Sequence, residues 1–133
     1  MATHEVEGNL SWHIFKKYWV PVALYAGFIF YVSSLPEPVQ TLQVDLSVLH
    51  VPMFFVLSYL FARAVLGTRN IATSRAIAAS IIVTTAYGVL DELHQLYVPG
   101  RTFSYFDMGL DLFGASLIVF KDWWEKLFER VNL

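Results

Sequence analysis

The chain has 133 residues, the length of one domain. Apolar residues make up 56 % of it and charged residues only 15 %, whereas a soluble domain carries about 25 % charged residues. The formal net charge is -2 and no basic stripe is present, so no nucleic acid is expected as a partner. The chain contains no cysteine, which excludes disulfides and cysteine nucleophiles. This composition predicts an integral membrane protein.

Four apolar blocks follow one another along the chain, each close to the roughly 20 residues that a membrane-spanning helix needs. Pro21 falls in the first turn of the first block, and Pro36 is expected to end that block because a proline disfavours helical geometry before it. We therefore predict an all-α polytopic membrane protein, a four-transmembrane-helix bundle within a single domain. The predicted helices lie at about 18–35, 46–66, 71–90 and 103–124, with a short cytoplasmic tail at 125–133.

The distribution of Lys and Arg gives this topology a direction. With four spans, both termini and the second turn lie on one side, which the positive-inside rule makes cytoplasmic. Both termini are therefore expected in the cytoplasm, and Arg101 is the one cation expected on the other side. The cations on the cytoplasmic side are Lys16, Lys17, Arg63, Arg69, Arg75, Lys121, Lys126 and Arg130.

Most polar side chains fall in the half of the bundle opposite to those cations. An acidic residue at the centre of a membrane costs about 2.5–3.5 kcal/mol, and such residues usually face the bundle interior. The pattern therefore predicts one polar cavity on the extracytoplasmic side. Its candidate members are Ser33, Ser34, His50, Asp91, Glu92, His94, Gln95, Arg101, Asp107 and Asp111. Glu37 and Asp45 lie on the same side and are expected to be solvated loop charges.

The fourth apolar block carries two acidic residues on one helical face. Asp107 and Asp111 are four residues apart, so they stack on a helix. A start near residue 103 would place Asp111 about 12 Å into that helix. Gly114 continues the same face, where a small residue allows close helix contact.

The segment after the third block is expected to be a polar loop, 91–104, with a turn at Pro99-Gly100. If the third helix continued instead, Asp91 and Gln95, four residues apart, would stack on one face. The Pro99-Gly100 turn would bring the Arg101 guanidinium to a carboxylate in a bidentate pair. The alternative is a purely structural ion network that ties the third and fourth helices together, but ionisable residues inside a membrane more often have a function. The carboxylates considered are Glu92, Asp107 and Asp111.

Three other polar features have both a functional and a structural interpretation. His50 is suited to a general acid or base, or simply to hydrogen bonding at the membrane interface. Ser33-Ser34 fit a helix cap better than a nucleophile, because no Ser-His-Asp spacing is assured. Tyr87 lies one turn before Asp91 and is expected to donate a hydrogen bond into the cavity.

These polar positions carry a resemblance to a known family. They comprise Asp91-Glu92, Gln95, Gly100-Arg101, Ser104, Asp107 and Gly114, preceded by Ser33-Ser34-Leu35-Pro36 and His50. The pattern resembles VanZ-like membrane proteins over about residues 20–120. The chain departs from that family in two respects. Leu46-Ser47 and Phe54 stand where the family often has Asp-Lys and Tyr, and Asp111 stands where it often has Asn, an extra carboxylate that would favour a cation.

Three functions fit these residues. The first is a membrane-embedded hydrolase or transferase that acts on a lipid or lipid-linked phosphate headgroup, with a divalent cation such as Mg²⁺ or Zn²⁺ considered as its cofactor. The second is a non-catalytic protein that binds envelope precursors or a glycopeptide antibiotic, the teicoplanin-type resistance that the resemblance implies. A proton or ion pathway is least favoured, because Thr84 and Thr85 are the deepest polar residues of the inner halves. For the enzyme, the catalytic candidates are Glu92, His50, Asp107 and Asp91, and the substrate-binding candidates are Arg101, Gln95, Asp111, His94 and Ser34.

Overall fold

The computed structural model describes residues 2–36 and 46–120, with side chains from residue 12 in the first range and from residue 47 in the second. The predicted all-α class is confirmed, since these ranges contain helices and no strand. A 3₁₀ turn, Leu46–Leu49, precedes the second helix, and another, Leu117–Phe120, follows the fourth. The helices are α1 (Ala2–Ser33), α2 (His50–Thr68), α3 (Thr73–Gln95) and α4 (Tyr105–Ser116).

The first helix begins much earlier than predicted. The predicted start at residue 18 marks only where the chain becomes apolar, and helical hydrogen bonding continues through the polar residues before it. Pro21 therefore lies inside α1 and not in its first turn. The predicted end is close to the observed one, because α1 stops at Ser33, three residues before Pro36.

The third helix runs past its predicted end at residue 90 and includes Asp91 to Gln95. The prediction of a loop is therefore wrong for residues 91–95. These polar residues remain helical because neighbouring helices bury them, so they do not need a solvated loop. The turn at Pro99-Gly100 is confirmed, and Gly100 has a φ of 81°, a conformation that favours glycine.

The second and fourth helices lie close to their predicted blocks. Helix α2 is extended at its start by the 3₁₀ turn and ends at Thr68, two residues beyond the predicted end. Helix α4 begins after Ser104, whose Oγ accepts a hydrogen bond from the Asp107 N–H at 3.1 Å and so caps the helix. The predicted continuation to residue 124 and the tail at 125–133 lie outside the described residues.

Helix α2 lies at the centre of the bundle and packs against each of the other three helices. Its Phe54 and Leu57 form the apolar core with Ile29 of α1. Helix α4 approaches α2 closely at Gly114, where an added Cβ would collide with the Val51 carbonyl. The predicted role of Gly114 in close helix contact is therefore confirmed.

The bundle buries polar side chains and exposes large apolar ones. Ser58 and Ser80 are fully buried at the contact of α2 with α3, whereas Leu24 and Ile82 are about two-thirds exposed or more. Such a distribution is typical of a protein whose solvent is lipid. By length and composition, two helical segments suffice to cross a membrane, 47–68 and 73–95.

Basic residues gather at one end of the described bundle. The indole of Trp19 donates to the Thr68 hydroxyl at 3.2 Å, which places the Lys16-Lys17 segment of α1 beside the end of α2. Arg63, Arg69 and Arg75 lie at this same end. Within residues 12–36 and 47–120, Arg101 is the one Lys or Arg at the opposite end.

Candidate functional site

The candidate polar residues meet where α1 and α3 end and α2 and α4 begin. Glu37 and Asp45, which are expected to be solvated loop charges on the same side, lie outside the described residues. The others, with the exception of Arg101, form two clusters, where one cavity was predicted. Adjacent helical residues point about 100° apart, so Asp91 faces α1 while Glu92 faces α4. We call His50, Glu92, Asp107 and Asp111 the α4-side cluster, and Ser33, Ser34, Asp91, His94 and Gln95 the α1-side cluster.

A histidine–carboxylate pair forms the centre of the α4-side cluster. Nδ1 of His50 lies 2.7 Å from Oδ1 of Asp111, across the contact between α2 and α4. The Asp111 side chain is 1 % exposed and that of His50 is 17 % exposed. A carboxylate at this distance accepts the Nδ1–H of the imidazole, which leaves the lone pair of Nε2 for a proton or a metal ion.

Glu92 fixes the start of α4 to the end of α3. Its Oε2 accepts a hydrogen bond from the backbone N–H of Ser104 at 2.8 Å, and the carboxylate is fully buried. This oxygen therefore satisfies a backbone N–H at the start of α4 that has no partner within the helix. The extension of α3 beyond its predicted end is what brings Glu92 to this position.

Three buried carboxylate oxygens of the α4-side cluster have no hydrogen-bond partner. They are Oε1 of Glu92, Oδ1 of Asp107 and Oδ2 of Asp111. One potential ligand atom from each of His50, Glu92 and Asp107 lies within 4.8 Å of the others. Burial of an uncompensated carboxylate is costly, so this cluster favours a bound cation or bound protons.

Sequence reasoning missed Gly88, which shapes this cluster from α3. An added Cβ there would lie 2.5 Å from Oδ2 of Asp111 and 3.0 Å from the Phe54 ring. The absence of a side chain at Gly88 therefore makes room for Asp111. Its position, one turn before Asp91-Glu92 in an apolar helix, was the available signal.

The α1-side cluster joins the ends of α1 and α3. Oδ2 of Asp91 accepts hydrogen bonds from the Ser33 hydroxyl at 2.5 Å and from the Gln95 amide at 3.2 Å. All three residues are buried. Stacking of Asp91 with Gln95 was expected if the third helix continued, and it does. Ser33 supplies the contact with α1, so this cluster holds the two helices together.

Ser34 and His94 form a second contact between these helices. The Ser34 hydroxyl donates to the Phe30 carbonyl at 2.7 Å, and its Oγ lies 2.9 Å from Nε2 of His94. A hydroxyl has one proton, so Ser34 accepts from Nε2–H of His94 in this arrangement. The hydroxyl therefore caps α1 and is not activated as a nucleophile, in line with the expected helix-end role.

Arg101 does not form the predicted carboxylate pair. Its Nε donates to the Leu35 carbonyl at 3.3 Å and its Nη2 to the Val32 carbonyl at 3.5 Å. No carboxylate among the described residues forms an ion pair with it. The physical reason lies at the C-terminal end of α1, which carries the negative end of the helix dipole and therefore attracts a cation. The pairing predicted with Glu92, Asp107 or Asp111 is therefore wrong for the described part of the chain.

Tyr87 also differs from the prediction. Its hydroxyl donates to the Ala26 carbonyl of α1 at 2.6 Å and not to a residue of either cluster. The ring packs against the apolar core formed by Ile29, Phe54 and Leu57. Tyr87 thus contributes to the packing of α3 on α1 below the α1-side cluster.

Comparisons with known proteins give one family match. A family model described as VanZ/LLP1 matches residues 5–121. No curated protein and no solved structure is significantly similar to the chain. The matched range includes every residue of both clusters.

Proposed function

This chain belongs to the VanZ/LLP1 family, and we propose that it is a membrane-embedded enzyme that hydrolyses or transfers a phosphate-bearing lipid headgroup. The observation that carries this proposal is the α4-side cluster. It combines an imidazole oriented by a buried carboxylate with two more carboxylates that keep oxygens without partners. Groups of this kind accept and donate protons in hydrolytic and transfer reactions.

The depth of the cluster in the bundle supports a lipid headgroup as substrate. His50 lies three residues from the start of the apolar segment 47–68, and Glu92 lies three residues from the end of 73–95. At 1.5 Å per residue both lie about 5 Å from a segment end, the depth at which headgroups begin. Exposed aromatic side chains surround this end of the bundle, as at a membrane interface. They are Tyr97, Tyr105 and Phe106.

Proton transfer explains the residue types of the α4-side cluster. In hydrolysis, a water oxygen forms a bond to phosphorus while the bond from phosphorus to the leaving alcohol breaks. Nε2 of His50, oriented by Asp111, takes the proton of the attacking water. A protonated Glu92 or Asp107 gives its proton to the leaving alcohol oxygen. In transfer, the hydroxyl of a second molecule takes the place of water.

Arg101 is the residue we assign to the phosphate itself. Its bonds to α1 use two of the five guanidinium N–H groups, and the remaining three suit phosphate oxygens. The α1-side cluster then acts on the site indirectly. Asp91 and Gln95 hold the end of α3 against α1, and Ser34 with His94 holds the segment whose carbonyls Arg101 binds. We therefore assign these four a positioning role.

The test is turnover by the full chain in lipid nanodiscs, with lipid monophosphates, lipid diphosphates and phosphodiester lipids as substrates. Mass spectrometry measures the released headgroup or phosphate. Glu92→Gln keeps an acceptor for the Ser104 N–H but cannot transfer a proton, so turnover is expected to fall about 100-fold or more. Thr85→Val is the matched control, since Thr85 is a residue of α3 outside both clusters. Its turnover is expected to equal that of the wild type.

Headgroup binding without turnover would contradict the enzyme. It would favour the alternative, a non-catalytic protein that binds envelope precursors or a teicoplanin-type glycopeptide. Equal turnover by wild type and Glu92→Gln would also contradict the assigned chemistry. Circular dichroism and thermal melting of each variant serve as the control for retention of the fold.

A further inference from the structure

We propose that the α4-side cluster is a divalent-cation site in which His50, Glu92 and Asp107 are the ligands and Asp111 orients His50. The role of this cation in the reaction rests on the proposed function, whereas its binding is measured without turnover. The ligands come from α2, α3 and α4, so the cation would join three helices.

The donor atoms are already close together. One ligand atom from each of His50, Glu92 and Asp107 lies within 4.8 Å of the others. Ligands at about 2.0–2.2 Å from one ion can be no more than about 4.4 Å apart. Small side-chain rotations therefore bring all three onto a single ion.

Buried oxygens without partners point to the same position. Glu92 is fully buried, and its Oε1 has no hydrogen-bond partner because Ser104 satisfies only Oε2. Oδ1 of Asp107 also lacks a partner. Arg101, the described cation at this end, is bound to α1 carbonyls and does not compensate these charges. A divalent cation supplies both the missing partner and the missing charge.

Asp111 completes the site without being a ligand in this arrangement. Histidine ligands usually donate their other ring N–H to a carboxylate, which fixes the tautomer and the orientation of the ring. The 2.7 Å contact of Oδ1 of Asp111 with Nδ1 of His50 is such a contact. It directs the lone pair to Nε2, the atom that would bind the cation.

The ligand set indicates which cations fit. One imidazole nitrogen with two carboxylate oxygens suits Zn²⁺ or Mn²⁺, whereas Ca²⁺ prefers oxygen ligands throughout. A bound cation would also offset the repulsion between these carboxylates and a phosphate substrate. Nε2 of His50 would then bind the cation and could not act as the base. The second oxygen of a monodentate Asp107 would instead take the proton of the attacking water and give it to the leaving alcohol oxygen.

The experiment is Mn²⁺ titration of the chelator-treated full chain in detergent, followed by electron paramagnetic resonance. One saturable Mn²⁺ per chain is expected. His50→Ala, Glu92→Gln and Asp107→Asn should each weaken binding at least about tenfold, and Asp111→Asn about 10- to 100-fold. His94→Ala is the matched histidine control from the α1-side cluster and should bind as the wild type does.

A second measurement needs no variant. Pulsed resonance of Mn²⁺ bound to the wild type should show coupling to one imidazole ¹⁴N. No saturable Mn²⁺ or Zn²⁺ binding, no ¹⁴N coupling, or equal losses in His94→Ala and His50→Ala would overturn the cation site. Cation binding without turnover on any lipid would overturn the enzyme alone, and full turnover by metal-free protein would overturn the role of the cation in the reaction alone.

Discussion

Oδ1 of Asp111 lies 2.7 Å from Nδ1 of His50, and this contact joins α4 to α2 inside the bundle. Two glycines leave the space that this contact needs. Gly114 lets α4 approach the Val51 backbone of α2, and Gly88 leaves space on α3 for the Asp111 carboxylate. The pair therefore depends on close packing of three helices as well as on its own hydrogen bond.

The first prediction concerns Gly88→Ala. The added Cβ would lie 2.5 Å from Oδ2 of Asp111, so the helices or the carboxylate must shift, at a cost of about 1–3 kcal/mol. Thermal melting in detergent should show a lower midpoint. Gly109→Ala is the matched control, because a Cβ there meets nothing within 4 Å and alanine favours helix. A melting point for Gly88→Ala at or above that of the wild type would contradict the packing.

The second prediction concerns the contact between α1 and α3. Ser33→Ala removes the shorter of the two hydrogen bonds to Oδ2 of Asp91, a carboxylate whose Oδ1 already lacks a partner. Loss of a donor to a buried charged group should destabilise the protein by about 1–3 kcal/mol. Ser74→Ala, at an exposed position near the start of α3, should leave the melting point unchanged. Equal melting points for the two variants would show that the Ser33 contact does not stabilise the bundle.

The third prediction separates the two roles of Arg101. Arg101→Lys keeps the charge but loses the planar set of N–H groups that can bind α1 carbonyls and phosphate together. We expect KM for the phosphate lipid to rise about tenfold with little change in kcat, since binding is lost in ground and transition states alike. Arg69→Lys at the other end of the bundle is the control. A fall in kcat at constant KM would contradict the assignment of Arg101 to substrate binding.

The fourth prediction concerns the side of the membrane on which the clusters lie. The chain has no native cysteine, so single cysteines report topology directly. Tyr97 is 86 % exposed just after α3, and Arg69 is exposed just after α2. An impermeant maleimide added to intact cells should label Tyr97→Cys and not Arg69→Cys, because the basic end is expected in the cytoplasm. Labelling of position 69 alone would show that the basic end lies outside the cell, opposite to the expected orientation.

Helix class and the approximate blocks could be predicted from the sequence because apolar runs are a local property. The end of α3 could not. Asp91 and Glu92 look like the start of a polar loop, yet partners from α1 and from the start of α4 keep them helical. Only the packing of the other helices supplies those partners.

The polar residues of the candidate site could be chosen from the sequence, but their division into two clusters could not be predicted. Spacing placed Asp91 with Gln95, which the structure confirms. It did not show that Asp91 and Glu92 face different helices, since this depends on how α1 and α4 pack around α3. Arg101 shows in the same way that charges along the sequence do not predict which groups meet in space. It lies among acidic residues in the sequence, but in the structure it donates to the carbonyls of Val32 and Leu35 at the end of α1.

The most direct test of the proposed enzyme, in which Asp111 orients His50, is headgroup release by wild type and Asp111→Asn in parallel. Both proteins are compared at equal concentrations of folded protein in nanodiscs. The wild type is expected to release phosphate or headgroup from at least one lipid class. Asp111→Asn should slow this about 10- to 100-fold, the loss typical when a carboxylate that orients a functional imidazole is removed. Equal rates in the two proteins would contradict the role of Asp111, and no release by folded wild type from any phosphate lipid would contradict the enzyme itself.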